Sequence, residues 1–133
     1  MIEIYPYMEL DSESAKKSGF AKKEANTFYM EAKDKDELLG IGKMKIFDSY
    51  AEFSDIFIAD ECFKMLGHGI GKAMLNFIER RKIYDVISRN EKISDLLKLL
   101  RFKKADEIKI DEKIEKDVYY LNLKGYFDAK CEK

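Results

Sequence analysis

The chain has 133 residues, 46% of them apolar and 38% charged, which is long and apolar enough for one core-bearing domain over 1–133 and excludes a disordered chain. Its 25 Lys and Arg stand against 26 Asp and Glu, a net charge of −1, with no basic block free of acids, so binding to nucleic acid through phosphate neutralisation is not expected. No apolar run approaches the ~18 residues of a membrane span, and the start MIEIYPYMEL carries acids where a secretory leader needs a basic and then an apolar segment, so a soluble cytoplasmic protein off the membrane is the expectation.

Residues 2–8 alternate apolar and polar side chains and predict a strand. Asp11 opens a short capped helical turn over 11–17 that ends near Gly19. Residues 26–32 and 38–47 both alternate with period two around Asp34-Lys35-Asp36, a hairpin. The next strand, 50–59 (YAEFSDIFIA), ends in a nearly continuous apolar run, which predicts burial on both faces and a parallel neighbour. The period then changes. Over 71–82 it becomes helical, with Met74, Leu75 and Ile78 on one face and Ala73 and Phe77 beside them, and 84–88 reads as a short strand. Strand, helix, strand within this span predicts a right-handed crossover between parallel strands. Asn90 can cap a helix over 91–102 with the stripe Ile93, Leu96, Leu97 and Leu100. Residues 105–110 and 117–123 alternate again across a charged turn at 111–116. The predicted order is β-α-β-β-β-α-β-α-β-β, an α+β fold with a mixed, mostly antiparallel sheet and one parallel βαβ unit.

Three of the seven glycines fall in Gly67-His68-Gly69-Ile70-Gly71, between a strand and a helix. Such a stretch can turn backbone N–H groups toward an anion at the positive end of the helix, and a phosphate or pyrophosphate suits it. The alternative is a tight turn that lets helix and sheet pack closely. A nucleoside-triphosphate loop fails, because Leu66 stands at its first glycine and Ala73 at its hydroxyl. A dinucleotide fingerprint fails at Lys72. His68, the only histidine, has no partners for a metal site, so no metal is expected. Cys62 and Cys131 read as free thiols, Cys62 as a small apolar filler.

The segment Leu66-Gly67-His68-Gly69-Ile70-Gly71-Lys72-Ala73-Met74-Leu75 resembles the acyl-CoA loop of the GNAT superfamily of acyl-CoA N-acyltransferases, [QR]-x-x-G-x-[GA]. Downstream, Asn90 and Phe102 match the family's asparagine and its phenylalanine at plus twelve. Leu97 stands at its tyrosine and Arg101 at its glycine. Residues 50–58 resemble the family's fourth strand and 117–121 its last, so the resemblance covers about residues 26–124. Leu66 departs from the preferred Arg or Gln, and the connection after Ala59 is longer than usual. Only a short segment lies between the first two strands, where the family places two acceptor-covering helices. The acceptor site is therefore expected to be open, or completed by a second subunit.

The resemblance implies a GNAT-like fold whose central strands splay apart. The pantetheine arm of acetyl-CoA would enter beside the backbone of Ile56 and Ile58, and the pyrophosphate would sit on the amides of Gly67 to Lys72, at a helix starting near Gly71. Asn90 would contact the arm, cap its helix, or both. The implied activity is N-acetyl transfer to a small-molecule or peptide amine by direct attack. Glu52 is its base and Asp55 the second choice; such a carboxylate needs its pKa raised by desolvation to work near neutrality. Strand alternation places Glu52 with Ser54, Ile56 and Ile58 and turns Asp55 to the other face. With Leu97 at the tyrosine position, Tyr119, Tyr120, Tyr84 or solvent is left to protonate the thiolate. The alternative is a catalytically degenerate GNAT-like domain that binds CoA or a protein. Pairing of two copies through the final strands is one assembly the sequence allows.

Overall fold

A computed structural model describes residues 1–110 and 112–127. The elements are β1 (Ile2–Tyr7), α1 (Ser12–Ser18), β2 (Thr27–Asp34), β3 (Glu37–Ile46), β4 (Tyr50–Ile58), α2 (Leu66–Arg80), β5 (Asp85–Ser88), α3 (Ser94–Leu99), β6 (Lys103–Ile110) and β7 (Lys113–Asn122). They form one seven-stranded sheet in the order β1-β2-β3-β4-β5-β7-β6. Every neighbouring pair is antiparallel except β4 with β5. The mixed sheet with a single parallel pair is the architecture expected from the alternation of period two and period 3.6.

Two helices cover one face of the sheet. Ile70, Met74, Leu75 and Ile78 of α2 are fully buried against Phe28, Met44, Phe53 and Val86, and Leu97 and Leu100 join the same core. Burial of each such side chain contributes roughly 1.5–3 kcal/mol. Close approach of α2 to the sheet depends on two glycines of β3. A Cβ on Gly42 would lie 2.5 Å from the Met74 methyl, and one on Gly40 would lie 2.9 Å from both Ile70 Cδ1 and the Phe57 carbonyl. The opposite face is covered by α1 and its flanks: Leu10, Ala15 and Phe20 pack on Tyr29, Leu38, Ile41 and Phe57. The Asp11 carboxylate caps α1 by accepting the Ser14 N–H at 2.7 Å, and Gly19 ends the helix at φ 80°.

Two helix boundaries differ from expectation, for physical reasons. α2 starts at Leu66 rather than near Gly71. Positive φ among the described glycines occurs only at Gly19 and Gly125, so Gly67, Gly69 and Gly71 carry helical backbone rather than a loop. The predicted helix over 91–102 is split into a 3₁₀ turn, Glu91–Ile93, and α3. Its end comes early because Arg101 takes a left-handed φ of 78° and leads directly into β6. Cys62, expected as a filler, is exposed in the 3₁₀ turn Glu61–Phe63, while Cys131 lies outside the described residues. No helix of the described residues is long and apolar enough to cross a membrane.

Candidate active site

The parallel pair is short. Tyr50, Ala51 and Glu52 of β4 pair with Asp85, Val86 and Ile87, and pairing stops there although β4 runs on to Ile58. The cause is a β-bulge. In the β3–β4 register Met44 pairs with Phe53 and Lys43 with Asp55, so Ser54 is the extra residue. A bulge bends its strand and disturbs the ladder. Side chains from the end of β5 and from just beyond it then hold the parted edge. Ser88 Oγ donates to the Phe53 carbonyl at 2.7 Å, and Asn90 Nδ2 donates to the Ser54 carbonyl at 3.0 Å. Two successive carbonyls thus face the same side, which regular strand geometry does not allow.

The bulge also corrects the predicted faces. Paired residues in an antiparallel ladder share a face. Phe53, Ile56 and Ile58 therefore lie with Met44, Gly42 and Gly40 toward α2, while Glu52 and Asp55 lie together with Lys45 and Lys43 on the opposite face. Strict alternation had separated the two carboxylates and grouped Glu52 with Ile56 and Ile58. One inserted residue reverses that assignment. The two candidate bases share one surface, which we term the open face.

Beyond the bulge the backbone of β4 turns toward the gap. The Ala59 N–H donates to the Leu39 carbonyl of β3, so by alternation the N–H and C=O groups of Ile56 and Ile58 point away from β3, toward the edge that β5 has left. On the helix side this edge opens into a cavity of about 260 Å³. Its walls are Ile56 and Ile58 of β4, Lys64, Met65, Gly67 and His68 at the start of α2, and Lys92, Ile93, Asp95, Leu96 and Leu99 from the α3 region. Apolar side chains form the floor, and among the described residues Lys64, His68 and Lys92 stand against the single carboxylate of Asp95. Among the described residues, neither Lys64 nor Lys92 has an acid within ion-pair distance. An elongated ligand with an apolar, amide-bearing arm and an anionic end fits this donor set. The buried Ser54 Oγ has no hydrogen-bond partner, a further mark of a polar surface left unmatched along the parted strand.

The structure brings together part of the predicted site. Ile56, Ile58, Gly67 and His68 line the cavity. Ile70 is 0% exposed in the core, Leu66 packs on that core, and Gly71 abuts Leu100, whose Cδ1 would lie 2.7 Å from an added Cβ. Lys72 holds its ammonium 5.0 Å over the Tyr126 ring. The expected cradle over residues 67–72 does not stand open. Amides from Ile70 onward lie inside the α2 ladder, and those of Gly67 and His68 meet the Lys64 and Met65 carbonyls at 3.1 and 3.2 Å. Gly69 differs from its neighbours: nothing lies within 4 Å of an added Cβ, so packing does not require a glycine there.

Asn90 caps, as one of its two readings held: Oδ1 accepts the Lys92 N–H at 3.0 Å. On the open face, Arg89 pairs with Glu52 at 3.2 Å and also with Glu115. Asp55 Oδ1 accepts from the Ile56 N–H at 2.8 Å and from Asn90 Nδ2 at 3.2 Å. Among the described residues, no tyrosine lines the cavity. Tyr119 donates to Glu91 at 3.2 Å and Tyr120 to Asp85. Burial, followed by the bond to Asp85, pushes the Tyr120 hydroxyl above its usual pKa. Leu97, placed at the family's tyrosine by sequence spacing, faces the core; its neighbour Leu96 faces the cavity. The α3 wall and Lys64 were missed because no phosphate or acyl motif includes them. The only trace in the sequence was the outer edge of the Ile93–Leu96 stripe.

A seven-stranded mixed sheet, parted at one parallel pair beside a helix amino end, is the fold of the GNAT N-acetyltransferases. The E. coli ribosomal-protein-S18-alanine N-acetyltransferase matches with a TM-score of 0.67 at 11% identity, over 92% of this chain and 94% of that one. The Campylobacter jejuni N-acetyltransferase PseH in complex with acetyl coenzyme A matches at TM-score 0.60 and 16% identity, over 91% and 96% of the two chains. An Elizabethkingia anophelis GNAT family acetyltransferase with acetyl-CoA bound gives 0.58 and 14%, over 90% and 95%. The sequence itself matches no family model and no curated protein.

Proposed function

We propose that this protein is an acetyl-CoA-dependent N-acetyltransferase acting on an amine. The observation that carries the reading is the parting of β4 from β5 after Glu52 and Ile87, which leaves the backbone of Ile56 and Ile58 facing a groove at the start of α2. Those backbone groups would hold the amides of a pantetheine arm as a neighbouring strand would. The side chains of Lys64, His68 and Lys92 would meet its phosphates beside the positive end of the helix, where Gly67 leaves room for them. Gly69 leaves room beside them, and Asn90 serves by holding β4 open. Acetyl-CoA supplies an activated thioester when bound. Glu52 and Asp55 lie across the sheet from the groove, where an acceptor amine would approach. Glu52, with Asp55 as the second choice, would take the ammonium proton and leave a neutral nucleophile. The short α1 segment leaves this face less covered than two helices would. Crystal structures of similar fold contain acetyl-CoA or CoA, which supports the ligand.

A degenerate, binding-only domain is the second reading. It is favoured by the ion pair that engages Glu52 and by the lack of a tyrosine among the cavity-lining residues. Thiol release from acetyl-CoA across a panel of polyamines, aminoglycosides and N-terminal peptides separates the two. Amine-dependent release supports the enzyme; acetyl-CoA binding without release under every amine supports the second reading.

A further inference from the structure

The Ile56 N–H points into the gap, yet it is not free: the carboxylate of the preceding residue, Asp55, folds back and accepts it at 2.8 Å. In a strand this N–H would serve the neighbouring strand, which here has departed. Asp55 is fixed in that pose from the other side of the gap, because the same Oδ1 accepts from Asn90 Nδ2 at 3.2 Å and that amide also grips the Ser54 carbonyl at 3.0 Å. One oxygen therefore bridges β4 and the turn that follows β5, and it fills the hydrogen-bonding position of the first gap-facing N–H beyond the bulge.

We propose that the Asp55 carboxylate is a stand-in for a ligand carbonyl at the Ile56 N–H. A ligand that lies along β4 must displace it to make that bond, and displacement releases the carboxylate from its backbone tether on the open face. Asp55 is thus a positioning residue that lowers cofactor affinity while stabilising the unliganded edge. The inference rests on the acyl-CoA reading of the groove. Arg89, Glu52 and Glu115 form a separate ion-pair set on the open face and do not hold Asp55 in this pose.

The test is isothermal titration of the full chain with acetyl-CoA, alongside the melting temperature of each unliganded variant. Asp55→Ala removes the stand-in and is expected to bind acetyl-CoA about three- to tenfold more tightly, the equivalent of one net hydrogen bond that no longer has to be broken. It is expected to melt at a lower temperature than the wild type when unliganded. Asp55→Glu keeps the charge but moves the oxygen by one methylene, so it is also expected to bind more tightly, and it carries the test if the alanine variant does not fold. Asp55→Asn keeps the acceptor and loses the charge, and wild-type affinity is expected. Unchanged or weaker binding by the Ala and Glu variants, with a wild type that binds, overturns this inference alone. Equal tightening by Asp55→Asn overturns it as well, since charge repulsion would then explain the gain. A wild type that binds no acetyl-CoA overturns both the inference and the functional reading beneath it.

Discussion

Alanine at the three glycines that open α2 separates packing from ligand binding. At Gly71 a Cβ would stand 2.7 Å from Leu100 Cδ1, inside a core where Leu100 is 0% exposed. The helix gains about 1 kcal/mol by losing a glycine, but overpacking a core costs about 1–3 kcal/mol. A net loss of roughly 1 kcal/mol is therefore expected for Gly71→Ala. At Gly69 an added Cβ meets nothing within 4 Å, so only the helix term remains. Gly69→Ala is expected to be more stable by about 0.5–1 kcal/mol, a rise of a few degrees in Tm for a chain of this size. At Gly67 the nearest atoms are Ile56 Cδ1 at 3.7 Å and Leu96 Cδ2 at 3.8 Å, across the cavity. A methyl there leaves the fold intact and narrows the groove. Urea melts give the three stabilities, and titration with acetyl-CoA gives the affinities. The expected pattern is loss of stability at 71 only and weakened acetyl-CoA binding at 67. Equal destabilisation at all three positions would refute the reasoning, because the glycines would then be required by the fold alone.

Leu97→Tyr, which writes the family's tyrosine into the sequence-aligned position, is expected to cost about 1–3 kcal/mol without raising turnover, because the side chain at 97 is buried in the core; chemical denaturation and thiol release check both halves. Ser54→Ala removes a buried hydroxyl that has no partner, so unliganded stability should stay level or rise by up to about 1 kcal/mol in urea melts. The Ser14 backbone N–H holds the Asp11 carboxyl below the usual carboxylate pKa. A depressed folded-state pKa contributes stability that is present above the unfolded value of about 3.9 and is lost as pH falls through the folded one. Asp11→Ala should therefore cost about 0.5–2 kcal/mol at pH 7, and the gap to wild type should close as the pH falls below about 4 in pH-resolved melts.

Much of the fold was legible because its signals are local. The alternation over β2 and β3, the Asp34-Lys35-Asp36 turn, the Asp11 cap and Gly19 end of α1, and the Met74-Leu75-Ile78 face of α2 each follow from a few adjacent residues. The errors came from features set by neighbours distant in sequence. The bulge at Ser54 answers the register of β3 and carries no glycine or proline to mark it, yet it decides which face Glu52 and Asp55 share. Helical backbone through Gly67-His68-Gly69 follows from the burial of Ile70 and Gly71 against the sheet and Leu100, which outweighs glycine's reluctance to be helical. Leu97 missed the cavity because the 3₁₀ turn at Glu91–Ile93 changes the phase between Asn90 and α3, so plus seven falls on the core side. Lys64 and Lys92 take positions in the groove that only three-dimensional proximity shows.

The groove between the parted strands is most directly tested by following the backbone amides of the ¹⁵N-labelled protein by NMR as acetyl-CoA is added, with ATP as the comparison. Saturable shifts confined to Ile56, Ile58, Gly67, His68 and the α3 wall, with acetyl-CoA producing shifts at Ile56 and Ile58 that ATP does not, are the predicted result. Resonances at these positions that stay fixed under millimolar acetyl-CoA, or that move only on the far strands β6 and β7, would contradict the account.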